Sequence, residues 1–105
     1  MNQEKSAAQP AQSNWYVYII ENRLGQLYTG ITTNVERRLS EHAGKPQGAK
    51  ALKGKGPLQL MYTCPLANRS IASKAERWIK QQPRQNKLAL IAGSLDLPDF
   101  TIMPE

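Results

Sequence analysis

Two short apolar runs, Tyr16-Val17-Tyr18-Ile19-Ile20 and Leu27-Tyr28-Thr29-Gly30-Ile31, flank the turn-like stretch Asn22-Arg23-Leu24-Gly25-Gln26. Both runs are rich in β-branched and aromatic residues. The pattern predicts a β-hairpin with a loop longer than two residues. In the first strand Trp15, Val17 and Ile19 share one face, and Tyr16, Tyr18 and Ile20 share the other. Both sets are apolar or aromatic. The strand therefore needs cover on both sides, which a lone hairpin cannot provide. Gly30 weakens the second strand and marks a bulge or a close backbone approach. Its functional reading is room for a substrate phosphate.

After Thr32 the period changes. Thr33 with Glu36 fits a capping box, and Gly44 fits a helix stop. Val35, Leu39 and Ala43 form an i, i+4, i+8 stripe. At ~100° per residue, Arg38 and His42 border that stripe one turn apart, while Arg37 faces water. Leu58, Leu60 and Tyr62 alternate with Gln59, Met61 and Thr63, which predicts a third strand ended by Pro65. Asn68 or Ser70 can cap a second helix reaching about Gln82. Its apolar face is Ile71, Ala75, Trp78 and Ile79, with Trp78 read as core rather than as a base-stacking platform. Pro83 breaks that helix. Lys87 to Ala92 forms a short helix with Leu88, Ile91 and Ala92 available for packing, and Gly93 stops it. The order β-β-α-β-α-α predicts an α+β fold, a small three-stranded, mostly antiparallel sheet flanked by helices. Residues 1–14 are polar and read as a disordered tail. Residues 15–92 form the domain, and 93–105 a C-terminal tail that drapes over it or is disordered.

Composition narrows the function. With 105 residues the chain suffices for one small domain. No run is long and apolar enough for a signal peptide or a membrane span, so no membrane role is expected. Lys and Arg number 14 against 8 Asp and Glu, a net charge of +6 with a pI near 9.7. The windows Arg37–Lys55 and Arg69–Lys87 hold 12 of those 14 positive charges, each with a single acid, Glu41 or Glu76. Such segregation favours an anion-binding face, with nucleic acid as the partner. Arg37, Lys50, Lys53, Lys55, Lys74, Arg77 and Lys80 are the candidate phosphate contacts. The Lys/Gly loop from Gly44 to Pro57 lacks P-loop spacing, and a solvated linker is its alternative reading. Cys64 is the only cysteine, so no intrachain disulfide is possible and a reducing cytoplasm suits the chain. One cysteine and one histidine make no zinc site, and a small strand-end residue is the simpler role for Cys64.

Tyr-Val-Tyr, nine residues, Tyr-Thr-Gly, then Arg38 and His42 on one helix and Glu76 on a later one, together resemble the GIY-YIG endonuclease superfamily. The resemblance spans about Trp15 to Ile91 and is nearest the small stand-alone bacterial branch, which also shares the stretch Gly48 to Gly56 and the end Lys87-Leu88-Ala89-Leu90-Ile91. It implies catalytic roles for Tyr18, Tyr28, Arg38, His42 and Glu76, with Gly30 as the family glycine. It also implies one divalent ion, Mg²⁺ or Mn²⁺, on Glu76. Asn86 aligns loosely with a family asparagine. Tyr16 replaces the first glycine of the name motif, and Ile31 stands where some relatives carry a lysine.

Hydrolysis of a phosphodiester needs an activated water and stabilisation of charge at phosphorus. The resemblance assigns the phosphate to Arg38, and the water to Tyr28 with Tyr18 or His42. A free tyrosine ionises near pH 10, so a basic tyrosine needs cations beside it. From periodicity alone, Glu76 reads as an i, i+4 partner for Lys80, worth ~0.3 kcal/mol; the resemblance makes it a metal ligand. The expected activity is metal-dependent cleavage of DNA in repair or recombination, with branched or damaged DNA as candidate substrates. A protein partner would have to supply targeting. The alternative is a non-catalytic nucleic-acid-binding module on the same fold.

Overall fold

One side chain builds the hairpin turn. Asn22 is buried, and its Oδ1 accepts from the backbone N–H of Leu24 at 2.9 Å and of Gln26 at 3.0 Å. Its Nδ2 donates to Gln26 Oε1 at 2.9 Å, and its own N–H donates to the Gln26 carbonyl at 3.0 Å. Gly25 closes the turn at φ +79°, a left-handed conformation open to glycine. The computed structural model describes residues 14–44 and 56–102. The turn joins β1 (Trp15–Glu21) to β2 (Leu27–Thr32), which pair antiparallel with Tyr18 opposite Gly30 and Ile20 opposite Tyr28. β3 (Gln59–Leu66) pairs antiparallel with the other edge of β1, giving the order β2-β1-β3. The helices are α1 (Val35–Gly44), α2 (Arg69–Lys80) and α3 (Arg84–Ala92), and a short 3₁₀ turn covers Phe100–Ile102. This is the expected α+β arrangement. Apart from Asn14, the predicted N-terminal tail lies outside the described residues, and so do Lys50, Lys53 and Lys55 of the basic loop.

Both faces of β1 are covered, as its two apolar sets require. Val17 and Ile19 pack with Ala75 and Ile79 of α2, Leu90 of α3, and Phe100. Full burial of a side chain such as Ile79 contributes ~1.5–3 kcal/mol. Trp78 meets Phe100 edge-on, with ring centroids 6.4 Å apart, and so belongs to this core. Leu95 and Leu97 add to it, so the segment after Gly93 packs on the sheet. Asn68 starts α2 by accepting from the Ile71 N–H at 2.9 Å. On the opposite face Tyr18 and Ile20 pack with Tyr28, Leu39, Leu58 and Leu60.

Several local expectations change. Asn34, not Thr33, caps α1, accepting from the Arg37 N–H at 3.0 Å. Ala43 is exposed, and His42 takes the inward position instead. The strict alternation expected in β3 is broken by a bulge. Ile19 opposes Tyr62 but Ile20 opposes Leu60, so Met61 is the extra residue. Leu60 therefore joins the Tyr18 face and Tyr62 the Val17 face. Pro65 does not end β3. It opposes Tyr16 on an edge strand, where a missing N–H is tolerated. Leu90 is the buried residue of α3, whereas Leu88 is 42% exposed. Trp15 lies half-buried outside the core clusters, with the Arg69 guanidinium 5.7 Å from its ring centroid.

Candidate active site

The strand register places Tyr18 on the central strand and Tyr28 on its neighbour, both on the face that α1 covers. His42, one turn from Arg38, turns inward against them. The three rings form a cluster: Tyr18–Tyr28 centroids lie 6.5 Å apart, Tyr18–His42 6.1 Å and Tyr28–His42 5.4 Å, the last edge-on. Tyr18 is 2% exposed and His42 1%, so their polar atoms need partners within the protein. The Tyr18 hydroxyl lies 2.9 Å from His42 Nε2. Arg38 also hydrogen-bonds the Tyr18 hydroxyl, and a guanidinium can only donate. The Tyr18 O–H must then find its acceptor in His42 Nε2, which fixes a neutral imidazole protonated at Nδ1. The electrostatics agree: burial and the Arg38 charge push His42 below the usual histidine range. Burial, with Tyr28 beside it, pushes Tyr18 up to about 12. Tyr18 therefore keeps its proton at neutral pH.

Gly30 lies directly across from Tyr18, and the Tyr18 ring fills the space a side chain would take. A Cβ there would lie 2.7 Å from Tyr18 Cζ and 3.2 Å from Cε2. The gap expected to admit a phosphate is thus occupied by the protein's own ring. No bulge occurs at Gly30 either, since the β1–β2 register runs unbroken.

Glu41 is the residue missed in reading the sequence. Its Oε1 accepts from Arg38 at 2.8 Å, and its Oε2 lies 3.8 Å from Arg37 Nε. The bond from Arg38 holds the Glu41 carboxyl below the usual carboxylate range. Arg38 is thereby fixed between a carboxylate and the Tyr18 hydroxyl. The i, i+3 spacing and its being the one acid in its basic window were the available signals.

Glu76 comes from α2, which packs on the Val17 face of the sheet, and its charge is the smallest of the influences on the Tyr18 phenol. Its carboxylate also pairs with Lys80 at 3.1 Å. Among the described residues no three His, Cys, Asp or Glu groups gather as a metal cage. One carboxylate completed by waters and substrate phosphate oxygens is a common Mg²⁺ arrangement, and the residues fit that kind of site. Arg37 lies on the exposed side of α1, and Arg77 and Lys80 on the exposed surface of α2; Lys74 is half-buried. Asn86 donates to Gln82 Oε1 at 3.0 Å. Ile31 packs against the α2 core. Cys64 opposes Val17, on the sheet face away from His42, so the two form no pair.

A family model described as the GIY-YIG catalytic domain matches residues 14–89. The chain belongs to the GIY-YIG nuclease family. It is similar to a UPF0213 protein of Vibrio campbellii, 49% identical over 85 residues and covering 80% of each chain. It is also 49% identical over 79 residues to the UPF0213 protein YhbQ of Escherichia coli, covering 74% of this chain and 77% of that one. Among solved structures, the solution NMR structure of the UPF0213 protein BH0048 from Bacillus halodurans is similar. It is 39% identical, has a TM-score of 0.50, and the match covers 75% of this chain and 83% of that one. Among the described residues no helix is long and apolar enough to cross a membrane.

Proposed function

We propose that this GIY-YIG chain is a metal-dependent endonuclease that hydrolyses DNA phosphodiester bonds. The observation carrying the reading is the single cluster of Arg38, Tyr18, His42 and Tyr28, with the Glu76 charge acting on it. Arg38 is the phosphate grip, offsetting charge that develops on the transferring group. Tyr28, half-buried where Tyr18 is enclosed, orients the attacking water. Neutral His42 is the group able to hold the water's proton, reached through the Tyr18 hydroxyl. In that relay Tyr18 passes its own proton to Nε2 as it gains another, so it never becomes a phenolate. Glu76 would hold the divalent ion, which would polarise the phosphate and offset charge on the leaving oxygen. The exposed cations of α2 track the flanking backbone. A role in repair or recombination and a reducing cytoplasmic setting are consistent with this chemistry and with the lone Cys64.

Incubating the purified chain with single-stranded, duplex and branched DNA, with Mg²⁺ or Mn²⁺, tests the proposal. Metal-dependent cleavage is expected, with Glu76→Ala about a hundredfold slower or worse. Cleavage indifferent to Glu76→Ala, or absent on every substrate, overturns it. The Glu76–Lys80 pair favours a second reading, a DNA-binding module whose carboxylate is already satisfied. Salt-dependent binding with no turnover selects that one.

A further inference from the structure

Tyr16 is an aromatic residue that neither packing nor the proposed chemistry uses. It is half-buried and belongs to neither apolar cluster. It opens instead onto a recess of about 390 Å³ at the start of α1, lined by Thr33, Asn34, Val35, Glu36, Leu60 and Thr63 as well. That volume falls within the range of ligand sites. Among the described residues the lining contains an aromatic wall, two aliphatic residues, two threonine hydroxyls, an amide and a carboxylate, and neither lysine nor arginine. Among the described residues of the lining, Glu36 carries the one charge, and it repels a phosphate. A planar ring bearing N–H donors would meet a stacking surface and an acceptor.

The position identifies which ring. Tyr16 and Tyr18 lie on the same face of β1, two residues or ~6.6 Å apart along the strand. A DNA strand whose phosphate rests at Arg38, which hydrogen-bonds Tyr18, brings its neighbouring nucleotide beside Tyr16. We propose that this recess is a nucleobase subsite, taking one unstacked base next to the scissile phosphate. Tyr16 stacks on the base, and Glu36 accepts from its exocyclic amine. Stacking accepts any base. A carboxylate accepts well from the amine of cytosine, and adenine offers a similar group. Thymine presents no amine, so the subsite selects against it. The proposal rests on the nuclease reading for its orientation along the strand.

The test reads binding, with no metal present. Fluorescence anisotropy in EDTA at one fixed salt concentration compares labelled dC8, dA8 and dT8 on the full-length wild type, Glu36→Ala, Tyr16→Phe and Tyr16→Leu. The wild type should bind dC8 and dA8 more tightly than dT8. Glu36→Ala, at an exposed position, removes the acceptor and should flatten that ratio. Tyr16→Leu should weaken all three oligonucleotides about tenfold, whereas Tyr16→Phe keeps them. A wild type with no such preference, or a ratio unchanged in Glu36→Ala, overturns the subsite. If the ratio shifts as expected but the wild type cleaves nothing with Mg²⁺ or Mn²⁺, the subsite stands and the nuclease reading falls.

Discussion

Replacing Gly30 by Ala should destabilise this protein, although glycine-to-alanine in a strand ordinarily does the reverse. Gly30 has no positive φ, so alanine there recovers ~0.5–1 kcal/mol of backbone entropy. Against that stands the new methyl, 2.7 Å from Tyr18 Cζ. Tyr18 cannot step aside freely. It is enclosed by Ile20, Leu39, Leu60 and Tyr28, and tied to His42 by a 2.9 Å hydrogen bond. Overpacking of this kind costs ~1–3 kcal/mol. If the ring yields, the buried hydroxyl and imidazole lose each other, at a further ~1–3 kcal/mol. The net is a loss of up to ~2.5 kcal/mol if the ring holds and of ~1–5 kcal/mol if it yields, which at ~4–8 °C per kcal/mol is a visible fall in melting temperature for a domain of this size. Urea unfolding of wild type, Gly30→Ala, Tyr18→Ala and the double variant measures it as a cycle. With the ring removed, Gly30→Ala should become neutral or stabilising. A Gly30→Ala protein as stable as wild type, with no change of effect in the Tyr18→Ala background, would refute the idea that Gly30 exists to seat the Tyr18 ring.

Other expectations follow from the same cluster. Glu41→Gln frees Arg38 from its anchor, so cleavage should slow about tenfold, mainly in kcat, while stability falls by under ~1 kcal/mol because the pair is partly exposed; an unchanged kcat would show that Arg38 needs no anchor. His42 is held below the usual histidine range, so the unfolded chain binds a proton that the folded chain resists. Stability should be full above about pH 6.5 and fall as the pH drops toward the folded value. Urea unfolding across that window should show a flatter slope in His42→Gln. Tyr18 is raised to about 12; its contribution is complete below pH 10 and is lost as the pH climbs through about 12. Absorbance at 295 nm should show Tyr18 and Tyr62, also raised to about 12 by burial, ionising late, with one late step missing in Tyr18→Phe.

The fold was legible where one physical constraint acted at a time. Alternation in β1, the Asn68 cap, the Ile71/Ala75/Trp78/Ile79 stripe and the Pro83 break each follow from local chemistry, and each holds. The failures occur where a neighbouring element decides. The bulge at Met61 is fixed by what Ile19 and Ile20 must face across the ladder, and a strand's own alternation cannot report it. The inward turn of α1 is set by the buried tyrosine hydroxyl, which demands an acceptor. A stripe of Val35, Leu39 and Ala43 points the helix by apolarity alone, and so misses that a histidine is drawn inward for its Nε2.

The same reasoning explains how far the candidate site could be read. Its residue types and spacing were visible, but their division of labour depended on depth. Tyr18 and Tyr28 are equivalent letters in two similar triplets. Only burial separates them, leaving one phenol enclosed and raised to about 12 and the other half-open on the neighbouring strand. In the proposed mechanism, enclosure also transfers the basic role. A tyrosine that keeps its proton at neutral pH cannot act by ionising, yet it can pass a proton to a neutral imidazole 2.9 Å away. The depressed histidine, the raised tyrosine and the paired arginine are therefore one arrangement. Arg38 supplies the donor that turns the Tyr18 proton toward His42, and Glu41 holds Arg38 where it can do so. Removing either member of the Arg38–Glu41 pair should disturb the proton path as well as the phosphate grip, a coupling that no single motif residue announces.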